Sequence, residues 1–93
     1  MNIVTHELKL NLSFCDAVYY GLKTFEIRKN DRGFQTGDHI HFTPVRKNGR
    51  DGYDYPSHPI EDEEYEITYI ISGWGLQPDY IVFSFAPIYV EEG

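Results

Sequence analysis

Five stretches of the chain alternate apolar and polar residues, and this alternation predicts a fold built mainly of β-strands. The predicted strands are Val4 to Leu10, 24–28, His39 to Thr43, Glu64 to Ser72 and Tyr80 to Ala86. The more apolar faces of these strands carry His6, Leu8, Leu10, Phe25, Ile27, Ile40, Phe42, Tyr65, Ile67, Tyr69, Ile71, Ile81, Phe83 and Phe85. Because nearly every strand alternates, we expect a closed, antiparallel-rich sheet with one face in the core.

One short helix is predicted between the first two strands, over residues 13–20. Ser13 offers an N-cap, because its hydroxyl can accept a hydrogen bond from an unpaired amide of the first turn. Apolar residues follow at helical spacing: Phe14, Ala17 and Val18. Gly21 stands where a C-terminal cap belongs.

Two segments interrupt the alternating pattern. Residues 44–60 hold three prolines and two glycines without periodicity, so they predict a long loop. The tail, 87–93, is expected either to add an edge strand or to fray. With only 93 residues in total, the sequence predicts a single domain over 1–93.

Composition limits the compartment and the class of partner. No apolar run approaches the length of a membrane span, and the N-terminus shows no signal-peptide pattern. The only cysteine, Cys15, has no partner for an internal disulfide, which favours a cytoplasmic location. We expect a buried thiol there and not a nucleophile, because no base adjoins it.

The net charge of −7 is unevenly distributed. Residues 1–53 hold all eight Lys and Arg and six acids, whereas residues 54–93 hold nine acids and no base. So acidic a chain is a poor non-specific binder of duplex nucleic acid, which needs many cations. A local anion site remains open, because screening limits the reach of the acidic half to about 8–10 Å.

The common cofactor motifs are not found. His39 and His41 share a strand face, but no Cys-x-x-Cys or His-Glu-x-x-His pattern accompanies them, so we expect no metal site. The glycine-rich nucleotide loops are also lacking, and we expect no cofactor.

The strongest candidate site lies in residues 21–33, which hold four of the eight basic residues. On the strand 24–28, Thr24, Glu26 and Arg28 share one face, while Phe25 and Ile27 are expected in the core. Arg28 could fork onto a phosphate or a base edge while Glu26 accepts from an amino group. The alternative is a surface ion-pair ladder with little effect on stability. Candidate stacking faces for a base are Tyr19, Tyr20, Phe34 and Trp74.

Several sequence segments together resemble the ASCH superfamily of PUA-like domains, and within it a small bacterial and phage family. These segments are His6-Glu7-Leu8-Lys9, then Lys23-Thr24-Phe25-Glu26-Ile27-Arg28-Lys29-Asn30-Asp31-Arg32-Gly33-Phe34, then Gly37-Asp38, and finally Thr68-Tyr69-Ile70-Ile71, Gly75-Leu76-Gln77 and Tyr80-Ile81-Val82. The resemblance implies a β-barrel with a helix beside a cleft, and a role in binding RNA or modified nucleotides. It also implies that Lys23, Glu26 and Arg28 line the cleft.

Some relatives in that superfamily are amidohydrolases that deacylate acetylated cytidine with a lysine, a threonine nucleophile and a distant glutamate. This chain keeps the lysine as Lys23 but has Glu26 where those enzymes place the threonine. A carboxylate cannot simply replace an activated hydroxyl. A small amidohydrolase is therefore the alternative function, with Lys23 and Glu26 as an acid–base pair.

Together these observations predict an α+β, mostly β fold: a PUA-like small β-barrel of about five strands with one short helix after the first strand. The predicted function is an RNA- or nucleotide-binding module, active as a monomer and independent of membranes. The expected ligand-binding residues are His6, Lys9, Lys23, Thr24, Glu26, Arg28, Lys29, Asn30 and Arg32. A third alternative is a protein-interaction module that uses the acidic segment 54–66.

Overall fold

The structure, a computed structural model, describes residues 2–49 and 52–89. Its elements are β1 (Thr5–Asn11), α1 (Leu12–Tyr19), β2 (Phe25–Lys29), β3 (His39–Asn48), β4 (Gly52–Asp54), a 3-10 turn (Pro59–Asp62), β5 (Tyr65–Ser72) and β6 (Tyr80–Pro87). Within the described ranges, the one α-helix is too short to cross a bilayer. Residues 90–93 of the predicted tail lie outside the described residues, and β6 ends at Pro87.

The strands form one mixed sheet in the order β1-β3-β5-β6-β2, and β4 pairs with the far end of β3. β1 and β3 are parallel, and the other pairs are antiparallel. The mostly β, α+β class and the single helix after the first strand are confirmed. The sheet is not closed into a barrel, because no ladder joins β1 to β2 in the part of the chain that the structure describes. Both therefore remain edge strands.

The core follows the predicted alternation on three strands. β1 buries His6, Leu8 and Leu10 while its intervening residues stay exposed. β3 and β6 bury their predicted apolar faces, and α1 closes the core from one side. The residues of the core are Leu8, Leu10, Cys15, Val18, Phe34, Ile40, Phe42, Ile60, Tyr65, Ile67, Ile81, Phe83 and Phe85. Cys15 is buried as expected, and this burial, followed by the nearby acids Asp16 and Glu61, raises the pKa of its thiol to about 11.

The orientation predicted for β2 is wrong. Phe25 and Ile27 are 45% and 57% exposed, whereas Glu26 is only 6% exposed. Alternation separates the two faces of a strand but does not say which face points inward, and here two cations offset the cost of burying the carboxylate. On the outer face, Ile27 lies beside Val82 of β6, and Val82 lies beside Ile71 of β5.

A β-bulge changes the predicted alternation of β5. Tyr65 and Ile67 are buried as the pattern indicates, but the register shifts between Ile67 and Tyr69. Thr68 is the extra residue, and its hydroxyl is 2.8 Å from the Ser84 hydroxyl. Tyr69 is consequently 68% exposed on the outer face, opposite to its predicted side.

The loop predicted over 44–60 is wrong for residues 44–48, 52–54 and 59–60, while residues 50–51 lie outside the described residues. β3 continues through Pro44 to Asn48 and turns back into β4, and Ile60 of the 3-10 turn is fully buried. Proline is tolerated in β3 because β5 pairs only with His39 and Ile40, so the missing N–H at Pro44 breaks no ladder bond with β5.

The helix begins one residue before the predicted start, and its cap is Asn11, not Ser13. The Asn11 side-chain oxygen accepts the Ser13 backbone N–H at 3.0 Å and the Ser13 hydroxyl at 2.9 Å. Phe14 of the predicted stripe is exposed, while Cys15 and Val18 are buried. Gly21 follows the helix at φ +77°, the left-handed conformation expected of a glycine at this place.

The cap predicts an order of stability between two alanine variants. Asn11→Ala should lower the free energy of unfolding by about 1 kcal/mol, because it removes the acceptor for the Ser13 amide in the first turn of the helix. Ser13→Ala loses only an exposed hydroxyl contact and should cost less. Urea unfolding measures both, and a larger loss for Ser13→Ala would contradict the assignment.

His41 ties β3 to two neighbouring segments. Its Nδ1 lies 2.5 Å from Glu7 Oε2, and its Nε2 lies 2.6 Å from the Glu61 carbonyl oxygen. Two acceptors require both ring nitrogens to donate, which only the imidazolium can do. The Glu7 hydrogen bond, followed by the Glu61 carbonyl, raises the pKa of His41 above its ordinary value.

This pair predicts a pH dependence of stability. A pKa raised by folding stabilises the protein in full below about pH 6.5, and the stabilisation is lost as pH rises through the folded-state pKa. Both side chains are partly exposed, so we expect a loss of at most about 1 kcal/mol. Urea unfolding between pH 5.5 and 8.5 should show this loss in the wild type and a weaker loss in Glu7→Gln. Equal slopes in the two proteins would contradict the assignment.

Candidate functional site

The two free edges of the sheet, β1 and β2, frame a cleft of about 710 Å³, called the edge cleft below. The end of β1 and Phe14 of α1 form one wall, and β2 with the turn after it forms the other. Five of the eight basic residues line the edge cleft: Lys9, Lys23, Arg28, Lys29 and Arg32. Two acids line it as well, Glu26 and Asp31. A local excess of cations therefore stands in a chain whose net charge is −7.

Backbone groups of β1 point towards the edge cleft. The N–H and C=O of one strand residue point to the same side, and successive residues alternate sides. The Val4 carbonyl accepts from His39 N, so the N–H and C=O groups of the even-numbered residues of β1 point to β3. The peptide groups of Glu7 and Lys9 consequently face the cleft.

The same reasoning applies to β2. The Thr24 carbonyl accepts from the Phe85 N–H, and the Asn30 N–H donates to the Asp79 carbonyl. The N–H and C=O groups of the even-numbered residues of this segment therefore point to β6. The N–H and C=O of Ile27, at the middle of β2, therefore face the cleft. The wall offers a backbone donor and a backbone acceptor side by side.

Two arginines cross the cleft and replace the missing ladder between β1 and β2. Arg28 Nη2 donates to the Lys9 carbonyl, and Arg32 Nη1 donates to the Glu7 carbonyl at 3.0 Å. Arginine suits this role because its guanidinium holds several donors in a fixed plane. The edge carbonyls of β1 are thus satisfied by side chains, which also makes this edge a poor template for pairing with another chain.

Glu26 lies at the centre of the site and bonds to a cation on each side. Its Oε1 accepts from Lys23 Nζ, and its Oε2 accepts from Arg28 Nε at 3.0 Å. Lys23 Nζ also donates to the Phe25 carbonyl at 2.8 Å, and it lies 5.1 Å from the ring centroids of both Phe14 and Phe25. The lysine is therefore held between a carboxylate and two aromatic faces.

The other two lysines of the cleft are less constrained. Lys9 Nζ lies 4.8 Å from the centroid of the Tyr53 ring. Among the described residues, no ion pair or hydrogen bond engages the side chain of Lys29. Lys29 is consequently the cation that can meet an incoming anion without giving up an existing contact.

Six of the nine predicted site residues line the edge cleft: Lys9, Lys23, Glu26, Arg28, Lys29 and Arg32. The other three lie elsewhere. His6 is buried, 2.7 Å from Asp38 Oδ2. Thr24 lines a smaller hollow of about 330 Å³ beside the end of α1, and Asn30 lines another at the β5–β6 hairpin. The Asn30 side-chain oxygen accepts from Phe34 N and shapes the turn after β2.

Sequence reasoning missed Phe14 and Tyr80 among the lining residues of the edge cleft. The sequence pattern places Phe14 in the apolar stripe of the helix, and Tyr80 comes into the site only through its pairing with Lys29. No local pattern signals that pairing, because Lys29 and Tyr80 are far apart in the sequence.

The histidine pair of β3 bonds to carboxylates. His41 binds Glu7, and His39 Nδ1 lies 3.2 Å from Glu64 Oε2. Within residues 2–49 and 52–89, no group of three His, Cys, Asp or Glu side chains is placed to hold a metal ion.

These features define a small α+β protein whose open mixed sheet frames a basic cleft between its two edges. Residues 5–85 match the model of a family described as "Domain of unknown function (DUF3850)", and the chain belongs to that family. The match includes every basic residue of the edge cleft. No curated protein matches the chain.

The Glu26 ion group predicts an unequal response to two charge deletions. Glu26→Ala should lower the free energy of unfolding by about 2 kcal/mol, because it leaves Lys23 and Arg28 largely desolvated without their shared anion. The matched control is Arg46→Ala, which breaks an exposed pair with Asp54 and should cost less than about 0.5 kcal/mol. Urea unfolding at neutral pH measures both, and equal losses would show that Glu26 is no more than a surface ion pair.

Proposed function

We propose that this protein is a binding module for RNA or a nucleotide, and that the ligand occupies the edge cleft. The observation that carries the proposal is the concentration of five cations around one buried carboxylate in an otherwise acidic chain. Phosphate and a nucleobase supply the complementary groups: an anion for the cations, and a donor edge for the carboxylate.

Each side chain has a role that its contacts support. Arg28, Lys29 and Arg32 meet phosphate or carbonyl oxygens at the rim. Glu26 accepts from an exocyclic amino group, since a carboxylate has about four acceptor positions and two are used by Lys23 and Arg28. The Ile27 N–H and C=O, which face the cleft, add one donor and one acceptor beside the Glu26 carboxylate.

A face for the base is also present. The Phe14 ring is about half exposed and lines the cleft next to the Lys23 ammonium. Aromatic rings bind bases of any identity by stacking, so this contact adds affinity without sequence preference. Selectivity would come from the Glu26 carboxylate and the Ile27 peptide group.

We also propose that the fold is an open form of the PUA-like barrel of the ASCH superfamily, with the ligand at the opening. The helix beside a cleft that contains Lys23, Glu26 and Arg28 supports this relationship. The buried free thiol of Cys15 is consistent with a cytoplasmic protein.

The binding module is preferred to an amidohydrolase because of the contacts of Lys23. Lys23 Nζ donates to both Glu26 and the Phe25 carbonyl, and Glu26 also accepts from Arg28, so both members of the acid–base pair are engaged in contacts within the protein. It is preferred to a protein-interaction module because residues of the acidic segment 54–66 are engaged within the fold: Ile60 is buried, and Asp54 bonds to Arg46 and Asn48.

A titration of labelled protein at low salt tests the proposal. The panel contains the four ribonucleoside monophosphates and the matching nucleosides, with amide NMR signals as the readout. We expect saturable shifts in residues 23–32 with the monophosphates, and affinity at least roughly tenfold lower in Arg28→Ala, because a charge-assisted hydrogen bond is lost.

Lys29→Ala and Lys47→Ala form a matched pair for the same titration. Both remove one exposed lysine, but only Lys29 lines the edge cleft. Lys29→Ala should weaken binding and reduce its salt dependence, while Lys47→Ala should change neither. No saturable shift with any monophosphate, or equal effects of the two lysines, would overturn the proposal.

A further inference from the structure

Trp74 occupies a position that stability does not explain. It is the only tryptophan of the chain, it lies in the turn between β5 and β6, and it is 92% exposed. Its φ of +52° is left-handed, a conformation that suits glycine or asparagine and disfavours bulky side chains. The left-handed backbone costs stability, the exposed indole gains almost nothing from burial to offset that cost, and such outliers cluster at functional sites.

The two residues on either side of Trp74 share its left-handed backbone conformation. Gly73 and Gly75 also have positive φ, +75° and +89°, so three successive residues are left-handed. The Leu76 N–H donates to the Gly73 carbonyl at 3.0 Å and closes the turn around the tryptophan.

The hairpin that carries Trp74 has a hollow at its base that shares one lining residue, Tyr80, with the edge cleft. A hollow at the base of the hairpin is lined by Asn30, Gly73, Leu76 and Tyr80, and Tyr80 also lines the edge cleft. Tyr80 pairs with Lys29 across β2 and β6, and the next residue, Asn30, donates its N–H to Asp79. Tyr80 therefore borders both the edge cleft, beside Lys29, and the hollow of the hairpin that carries Trp74.

We propose that the edge cleft is the first subsite of a track for single-stranded nucleic acid, with Tyr80 and Trp74 as successive stacking platforms. The inference rests on the proposed function, because the cleft holds one nucleotide and the track holds those that follow it. Unpaired bases present faces that stack on aromatic rings, whereas a duplex hides them. The acidic chain also disfavours the dense charge of a duplex.

Fluorescence provides a direct test, because the emission of the single tryptophan reports on position 74 alone. The probes are uridine monophosphate and oligouridylates of increasing length, up to six nucleotides. Oligodeoxyuridylates of the same lengths are titrated in parallel. We expect the hexamer to quench the emission in a saturable way, and the monophosphate to shift the cleft amide signals without quenching. Quenching by both RNA and DNA would indicate stacking without sugar selectivity, and quenching by RNA alone would assign the track to RNA.

Variants separate the track from the cleft. Trp74→Asn should leave monophosphate binding unchanged, lower hexamer affinity at least tenfold, and leave Tm unchanged or raised, because asparagine suits the left-handed turn. Tyr80→Ala should weaken the hexamer in the same direction. The control is Tyr55→Ala, which removes an exposed aromatic ring that lines neither hollow and should bind both probes like the wild type.

Three results would overturn the track. If the monophosphate binds and the hexamer binds no tighter, the cleft stands and the track falls. If hexamer quenching survives unchanged in Arg28→Ala, the indole binds independently and is not a continuation of the cleft. If neither probe shifts the cleft amides, the proposed function and the track fail together.

Discussion

The structure depends on how one edge carboxylate is neutralised. Glu26 lies on the inward face of β2, where an uncompensated charge would be costly, and it is tolerable there only because Lys23 and Arg28 bond to both of its oxygens. The same Arg28 reaches the Lys9 carbonyl on the opposite edge. One arginine therefore neutralises the buried anion and spans the opening of the sheet, so the electrostatics of the site and the shape of the cleft have a common cause.

This arrangement also explains why the sheet remains open. A closed ladder between β1 and β2 would consume the peptide groups of Glu7, Lys9 and Ile27, and it would leave no room for the side chains between them. The long side chains of Arg28 and Arg32 instead bond to the Lys9 and Glu7 carbonyls, so β1 and β2 need not approach to the spacing of paired strands. The opening keeps polar backbone on its walls and cations at its rim, the combination that a small polar ligand can use.

Much of the fold was predictable from local pattern, because burial on one face produces alternation. β1, β6 and the first half of β3 follow it, and the short helix lies where its helical spacing predicts, although Phe14 is exposed. Pairing across long sequence distances left no comparable signal. The inward turn of Glu26 depends on Arg28 and Lys23 together, the outward turn of Tyr69 depends on a bulge, and the continuation of β3 through Pro44 depends on where β5 stops. Five of the six predicted residues that line the edge cleft come together because they lie on β2 and its flanks, and Lys9 joins them from β1. His6 faces the core, and Thr24 and Asn30 line other hollows.

The pairing of β2 has a consequence for the order in which the molecule is assembled. Among the described residues, β2 has a single strand partner, β6, which is the last strand of that part of the chain. The wall that contains Glu26 and Arg28 thus stays unsupported until residues 80–87 have been synthesised and have left the ribosome. Loop closure over that distance is entropically costly and typically slow. A chain that lacks residues 80–87 can place β1 beside β3, but the wall of the edge cleft that contains Glu26 and Arg28 then has no strand to pair with.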